Sequence, residues 1–507
     1  MVEVQMSLLE RLVDLDRPAS TPLYQQLYAD LRQGIVEGRL PRKTRLPSTR
    51  TLAECLGVSR NTVIKAFDQL RSEGYLTSEV GSGTYVAETL PERHTRVYRP
   101  TAGPDRTLHV PDYDAGTRSM ADRTARLMDC PVSIVEDPVG QHPFRPGIPA
   151  FDAFPIETWS KLASRRWRTL PANQLEYGDP AGYPPLREAV AEYLRTARGA
   201  NCESEQVLIV SGIQQAFTLT GRAFLDPGDE VYVEDPGFPR MRGAFTAVGA
   251  EVQSVPVDEK GFAPSAVDDD ASPCLVGVTP SHQYPLGITM SVDRRHELLQ
   301  WSSDNDVWIL EDDYDSEYRY SGQPIAALQG MDTEGRVLYA GTFSKVLFPA
   351  LRLGYLVVPP PLVEPLSTLR TVSDRCPPRV DQMILTDFIK EGHLEQHIRQ
   401  MRTLYSERQA VLLDAIDEHL GSFLDVDPSN AGLHLVGRLP EGVDDQRVAD
   451  RLAQHDIVAL PLSFYTDRSL DRGGLLLGYA GFPDEDLRRA VRRMAEVLTP
   501  LREGLGS

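Results

Sequence analysis

The chain has 507 residues, 41% of them hydrophobic and 25% charged, with a formal net charge of −20. That length is more than one core can use and suggests about three domains, and the composition is that of a globular protein. No apolar run approaches the roughly 18 residues of a membrane helix, and so acidic a chain does not coat nucleic acid over its whole surface.

The opening stretch MVEVQMSLLERLVDLDRP carries early acids and no small-residue cleavage site, so no secretory leader is expected. Five cysteines (Cys55, Cys130, Cys202, Cys274, Cys376) are scattered without a CxxC pair. The spacing predicts a reduced, cytoplasmic protein with no membrane partner, no disulfide framework and no metal site.

The charge is unevenly distributed. Between Arg39 and Lys65 seven basic residues face one acid, Glu54, a basic face on an acidic molecule. Just before it, Leu23, Leu27, Leu31 and Ile35 recur at spacing four, one face of a helix that closes near Gly38. In LPSTRTLAECLGVSRNTVIKAFDQLRSEGYL, Ser48 can cap a short helix ending at Leu56 and Gly57 can make the turn. Ser59 can then cap a second helix with Val63, Phe67 and Leu70 in the core. Two short helices joined at a glycine predict a helix-turn-helix, whose second helix can enter a major groove. Arg60, Asn61, Thr62 and Lys65 occupy its first turns, clear of the core positions.

YLTSEVGSGTYVA then reads as a hairpin whose Gly81–Ser82–Gly83 turn lets backbone approach phosphates. Over about residues 21–87 these motifs resemble the GntR-type winged helix. The resemblance implies double-stranded operator DNA as partner. The expected contacts are Arg45, Ser48, Arg50, Ser59, Arg60, Asn61, Thr62, Lys65 and the turn residues Gly81, Ser82 and Gly83.

The expected organisation is a DNA-binding domain over 1–87, a linker over 88–142 and a larger domain over 143–507. The linker is rich in Pro, Gly, Arg and Asp, without sustained periodicity, and reads as long and partly ordered. From about Phe144, near-continuous apolar strands (QVLIVSG, DEVYVEDPGF, CLVGVTPSHQYP, DVWILEDDYDSEY, RVLYAGTFSK) alternate with helical stretches. This predicts an α/β domain with a mostly parallel sheet covered on both faces, its ligands beyond the carboxyl ends of the strands.

The polar residues fall at those ends. VSGIQQAF opens a helix at Gly212–Gln215, an anion site that many βα turns share. Phe238 can stack on a flat ring, or simply fill the core. Asp312 and Tyr314 stand two residues apart, and GTFSK offers Thr342, Ser344 and Lys345, with Arg352 seven residues on. Lys345 is otherwise a costly ammonium in an apolar run. Pyridoxal 5′-phosphate would use every part: a lysine for a Schiff base, a carboxylate at the ring nitrogen, a stacking ring and a phosphate cup with an arginine.

Here FRPGIPAFDAFP, YGDPAGYPPLREAVAEYL, TPSHQYPLGITMS, EDDYDSEYRY and GTFSKVLFPALRLGY resemble the blocks of fold-type I aminotransferases. With the winged helix in front, the chain resembles MocR/GabR-type transcriptional regulators over nearly its whole length. The resemblance implies that Lys345 carries the cofactor, Asp312 faces the pyridine nitrogen, Tyr314 faces the ring hydroxyl and Phe238 stacks. Gly212, Ile213 and Gln214, with Thr342 and Arg352, would hold the phosphate, and a homodimer is implied.

Two positions depart from the enzymes. Tyr284 of HQYP stands where aminotransferases have an asparagine, and Leu476 stands where many have the arginine that clamps a substrate carboxylate. A leucine cannot bind that group. Either Arg240, Arg319 or Arg472 substitutes, or the effector is not a simple amino acid; Arg240, His282, Tyr284 and Arg319 are the candidate effector contacts. The expectation is a cytoplasmic regulator that senses pyridoxal phosphate itself or an amino compound forming an aldimine, with at most weak transamination. The alternative is a working aminotransferase with an accessory DNA-binding module.

Overall fold

In a computed structural model, residues 8–9, 12–18, 21–79, 83–88, 90, 121–129, 142–268, 271–322 and 325–505 are described. The chain divides into two compact units, Met1–Asp114 and Ala115–Ser507.

In the first unit the helix Leu23–Val36 buries Leu27, Leu31 and Ile35, as the spacing of four requires. It packs on the helix Arg60–Ser72, which in turn packs on the helix Thr49–Leu56. Both helices of that pair begin with the cap expected of them: Ser48 Oγ accepts from the Thr51 amide and Ser59 Oγ from the Thr62 amide, each at 3.1 Å. Strands β1 (Arg45–Leu46), β2 (Leu76–Glu79) and β3 (Gly83–Val86) form a small antiparallel sheet in the order β1-β3-β2. Val63, Phe67 and Leu70 sit in the core between helices and sheet.

The second unit is built on an eight-stranded sheet. Its strands are β4 (Val207–Val210), β5 (Glu230–Asp235), β6 (Glu251–Asp258), β7 (Gly261–Phe262), β8 (Leu275–Val278), β9 (Trp308–Asp313), β10 (Val337–Thr342) and β11 (Gly354–Val357). They run in the order β4-β11-β10-β9-β8-β5-β6-β7. The four pairings from β10 through β9, β8 and β5 to β6 are parallel. Because β11 is antiparallel to both β10 and β4, strand β4 points the same way as β10. Alternate residues serve opposite cores: Val207 and Ile209 one face, Leu208 and Val210 the other. All four are fully buried, which is why this strand reads as an unbroken apolar run.

A second, antiparallel sheet of β12 (Asp425–Val426), β13 (His434–Arg438), β14 (Leu460–Pro461) and β15 (Gly474–Gly478) packs with the helices His393–Leu420 and Asp484–Leu505. Within the segment expected as linker, Asp122–Asp129 is helical and packs against the helix Pro239–Val248.

Candidate functional site

On the first unit Arg45, Ser48, Arg50, Ser59, Arg60, Asn61 and Lys65 are exposed or half-buried, and Thr62 is half-buried. The two helix starts meet: Arg60 Nε lies 3.4 Å from Thr49 Oγ1. Arg45 pairs across the sheet with Tyr85 and reaches the wing, its Nε near Gly83. Arg50 also pairs with Glu54 at 3.1 Å, and Lys65 lies over the Tyr24 ring. Lys43 is engaged by Glu88 and Arg39 by Glu37, so not all of the basic run faces solvent uncompensated. Gly81 and Ser82 lie outside the described residues.

In the second unit the commonly directed strands β4, β5, β8, β9 and β10 release their chemistry-bearing residues from the same edge. Gly212 follows β4 and caps the helix Ile213–Phe224 at φ 85°, ψ 171°, a conformation that suits glycine. A Cβ at Gly212 would stand 3.2 Å from the Arg352 guanidinium. Arg352 itself donates to the Ser211 carbonyl at 2.8 Å. The helix start, with its unused amides, therefore has an arginine laid across it. Ile213 opens the helix, and Gln214 donates to the Arg240 carbonyl at 3.1 Å while its Oε1 is buried with no partner among the described residues. Thr342 closes β10, and its hydroxyl accepts from the Ser344 amide at 3.1 Å.

Lys345 is half-buried, and its Nζ donates to the Gly147 carbonyl at 2.7 Å. Gly147, at φ 70°, could not carry a side chain without meeting that Nζ. Next to β10, Asp312 on β9 is 3% exposed and its Oδ1 has no partner among the described residues. Burial pushes its carboxyl pKa well above the ordinary range, and Asp313, Asp315 and Glu234 push it further, against Lys345. A buried acceptor of this kind calls for a donor that the chain does not supply.

Phe238 follows β5 and meets Tyr284 edge-on, with ring centroids 5.3 Å apart. Tyr314 lies just beyond β9, its hydroxyl 3.0 Å from His282 Nδ1. Asp315 holds the same nitrogen at 3.0 Å. A carboxylate only accepts, which assigns the proton to Nδ1. Tyr314 then receives at its oxygen and keeps its own hydrogen for a further acceptor. Tyr284 joins this group, its ring against Tyr314, His434 and Tyr465.

The candidate effector arginines are not brought together. Arg240 is exposed at the start of the helix Pro239–Val248, and Arg319 bridges to Ala431 in the loop after β12. Arg472, the third possible substitute for the clamp, is taken by Asp425 at 3.1 Å and by the Leu439 carbonyl. Leu476 is fully buried with Leu462 and Tyr465, and Tyr284, Leu286 and Val436 pack on them. A buried apolar patch thus surrounds the residue expected at the clamp position.

Three neighbours escaped the sequence reading. Glu234 accepts from Thr279 and Gln283, and burial raises its pKa to about 7. Asp315 orients His282, and Gly147 accepts from Lys345. The signal for Asp315 was its place in the acidic run after β9. For Glu234 and Gly147 no local pattern pointed to a partner so distant in sequence.

Lysine, orphaned aspartate, aromatic ring and arginine-covered helix start fit pyridoxal phosphate by donor chemistry. A capped helix-turn-helix joined to such a body defines a DNA-binding regulator with an aminotransferase-type domain. Residues 23–86 match the description "Bacterial regulatory proteins, gntR family" and residues 148–494 match "Aminotransferase class I and II".

The chain is 40% identical over 491 residues to the probable rhizopine catabolism regulatory protein MocR of Rhizobium meliloti, covering 96% of each. To the HTH-type pyridoxine biosynthesis transcriptional regulator PdxR of Corynebacterium glutamicum it is 31% identical, over 95% of this chain and 97% of that one. Among solved structures it is similar to LysN, the α-aminoadipate aminotransferase of Thermus thermophilus. The TM-score is 0.69 at 27% identity, over 76% of this chain and 98% of that one. The chain belongs to the MocR-type family of GntR transcriptional regulators, with pyridoxal phosphate as the cofactor of its aminotransferase-like domain.

Proposed function

We propose that this regulator senses its ligand at the cofactor pocket, binding amino chemistry there without turning it over efficiently. Pyridoxal phosphate, when bound, supplies an aldehyde for amines and an electron-withdrawing ring. In this reading Lys345 tethers the cofactor, Asp312 holds a proton at the ring nitrogen, and the Tyr314 hydroxyl donates to the ring oxygen. Phe238 stacks on the ring, and Arg352 with the amides at Gly212–Gln214 neutralises the phosphate.

The observation that carries the reading is Leu476. At the position where the resemblance to aminotransferases leads one to expect a carboxylate-clamping arginine, Leu476 is buried among apolar side chains. A substrate carboxylate left there would be strongly disfavoured. The Corynebacterium glutamicum relative is named for pyridoxine biosynthesis, which supports pyridoxal phosphate itself as the signal. A ligand shifts DNA binding only by its differential affinity for two states of the protein.

We also read the protein as a cytoplasmic homodimer. Ile156, Trp167, Leu175 and Tyr177 expose large apolar side chains on the second unit, and the Arg375 guanidinium lies 3.6 Å from the Tyr177 ring centre, a surface that suits a second copy. Two winged helices would then read two half-sites.

The test is a nuclease footprint on DNA upstream of the neighbouring genes, with and without pyridoxal phosphate. A footprint that changes with the cofactor supports the reading, and one indifferent to pyridoxal phosphate and to added amines removes the sensing role. An amino-acid panel assayed for keto product separates the enzyme reading, because multiple turnovers per site would establish it.

A further inference from the structure

A cleft of about 390 Å³ opens beside His282, within the second unit. Its walls are the loop Pro285–Thr289 after β8, the loop Asp427–Ala431 after β12, and strand β13. This cleft has no part in the cofactor chemistry above, yet it is mostly polar and unevenly satisfied.

Three groups define it. His282 is 3% exposed, and with Nδ1 engaged by Asp315 and Tyr314 its Nε2 has no partner among the described residues. That nitrogen lies beside Gly287, which also lines the cleft. With the proton on Nδ1, Nε2 is a bare acceptor and needs a donor. Arg438, half-buried at the end of β13, has no carboxylate paired with it among the described residues. It can only donate and needs an acceptor. Asp427, exposed at the rim, is likewise unpaired with any cation among the described residues. The other lining acid, Asp425, is held by Arg472 at 3.1 Å, and His434 gives its Nε2 to the Pro285 carbonyl at 2.9 Å.

We infer that this cleft is a second ligand site, for a small zwitterionic amino compound whose carboxylate meets Arg438 and whose ammonium meets His282 Nε2 and Asp427. One ligand then satisfies a buried acceptor and a half-buried cation that the fold leaves open. An ammonium on Nε2 lies one imidazole ring away from the Tyr314 hydroxyl, which gives the cleft a direct route to the cofactor. The inference deepens the sensing role proposed above and rests on it. It adds to the cofactor pocket a second place where an amino compound is recognised.

The experiment uses the full chain in two forms. In one, borohydride reduction fixes the cofactor to Lys345, so its aldehyde can no longer take an amine; the other is cofactor-free. Each is titrated calorimetrically with glycine, β-alanine, 5-aminopentanoate and L-lysine. At least one probe is expected to bind both forms saturably, one per chain, and Arg438→Met and Asp427→Asn should each weaken it about tenfold or more. Unchanged cofactor absorbance in both variants reports an intact fold, and Asp427→Asn sits on an exposed loop. No saturable binding of any probe, or binding indifferent to both substitutions, overturns the second site. Failure to recover the reduced cofactor on Lys345 would instead count against the cofactor reading, while the cofactor-free arm still tests the cleft.

Discussion

Asp312→Asn separates the cofactor's hold on the protein from the protein's own stability. Asp312 is 3% exposed, its Oδ1 is unpartnered among the described residues, and burial with three acidic neighbours pushes its pKa well above the carboxylate range. Without cofactor, burial disfavours the charged form of the group, so an isosteric neutral amide should change stability by less than about 1 kcal/mol. With the cofactor, the carboxylate gains a protonated ring nitrogen as partner. A charge-assisted bond of this kind contributes about 1.5–3 kcal/mol, so the amide should weaken pyridoxal phosphate binding by roughly 10- to 150-fold. The assay is a visible-absorbance titration of the cofactor-free chain, beside thermal melts with and without cofactor. The reasoning fails if affinity stays within about twofold of wild type, or if the cofactor-free protein loses as much stability as the complex loses affinity.

The remaining predictions concern charge. Arg60→Ala should lower the slope of log K against log salt for duplex binding by ~0.9 and leave the cofactor spectrum unchanged; an unaltered slope would remove Arg60 from the phosphate contacts. Leu476→Arg places an uncompensated guanidinium in a fully buried apolar cluster, and should cost ~3–5 kcal/mol in thermal or denaturant unfolding. Stability equal to wild type would mean the site is open enough for a clamp after all. Glu234 has a folded pKa of about 7 against an ordinary 4.5. Its folded value lies above its unfolded one, so its contribution is greatest at low pH and declines as pH rises between the two, by about 3 kcal/mol. Glu234→Gln should therefore be less sensitive than wild type to a change from about pH 5 to about pH 8. Parallel losses of stability in both proteins would rule this carboxyl out as the source.

The winged helix was legible because its determinants are local. Ser48, Gly57 and Ser59 act on amides within a turn or two, and Val63, Phe67 and Leu70 recur at helical spacing. The strand-end chemistry was legible for a related reason. In a sheet whose strands run one way, loops far apart in sequence open at one edge, so Gly212, Phe238, Asp312 and Lys345 could be grouped from the strand pattern alone.

What the tertiary structure decided was the partner of each polar group. That Arg472 answers Asp425, that Leu476 closes against Tyr284 and Tyr465, and that Asp315 rather than a ligand fixes the His282 proton are contacts between segments tens to hundreds of residues apart. No local spacing encodes them. They follow from how the second sheet packs over the loops of the first, and that packing also leaves Asp312 Oδ1 and His282 Nε2 buried without partners among the described residues.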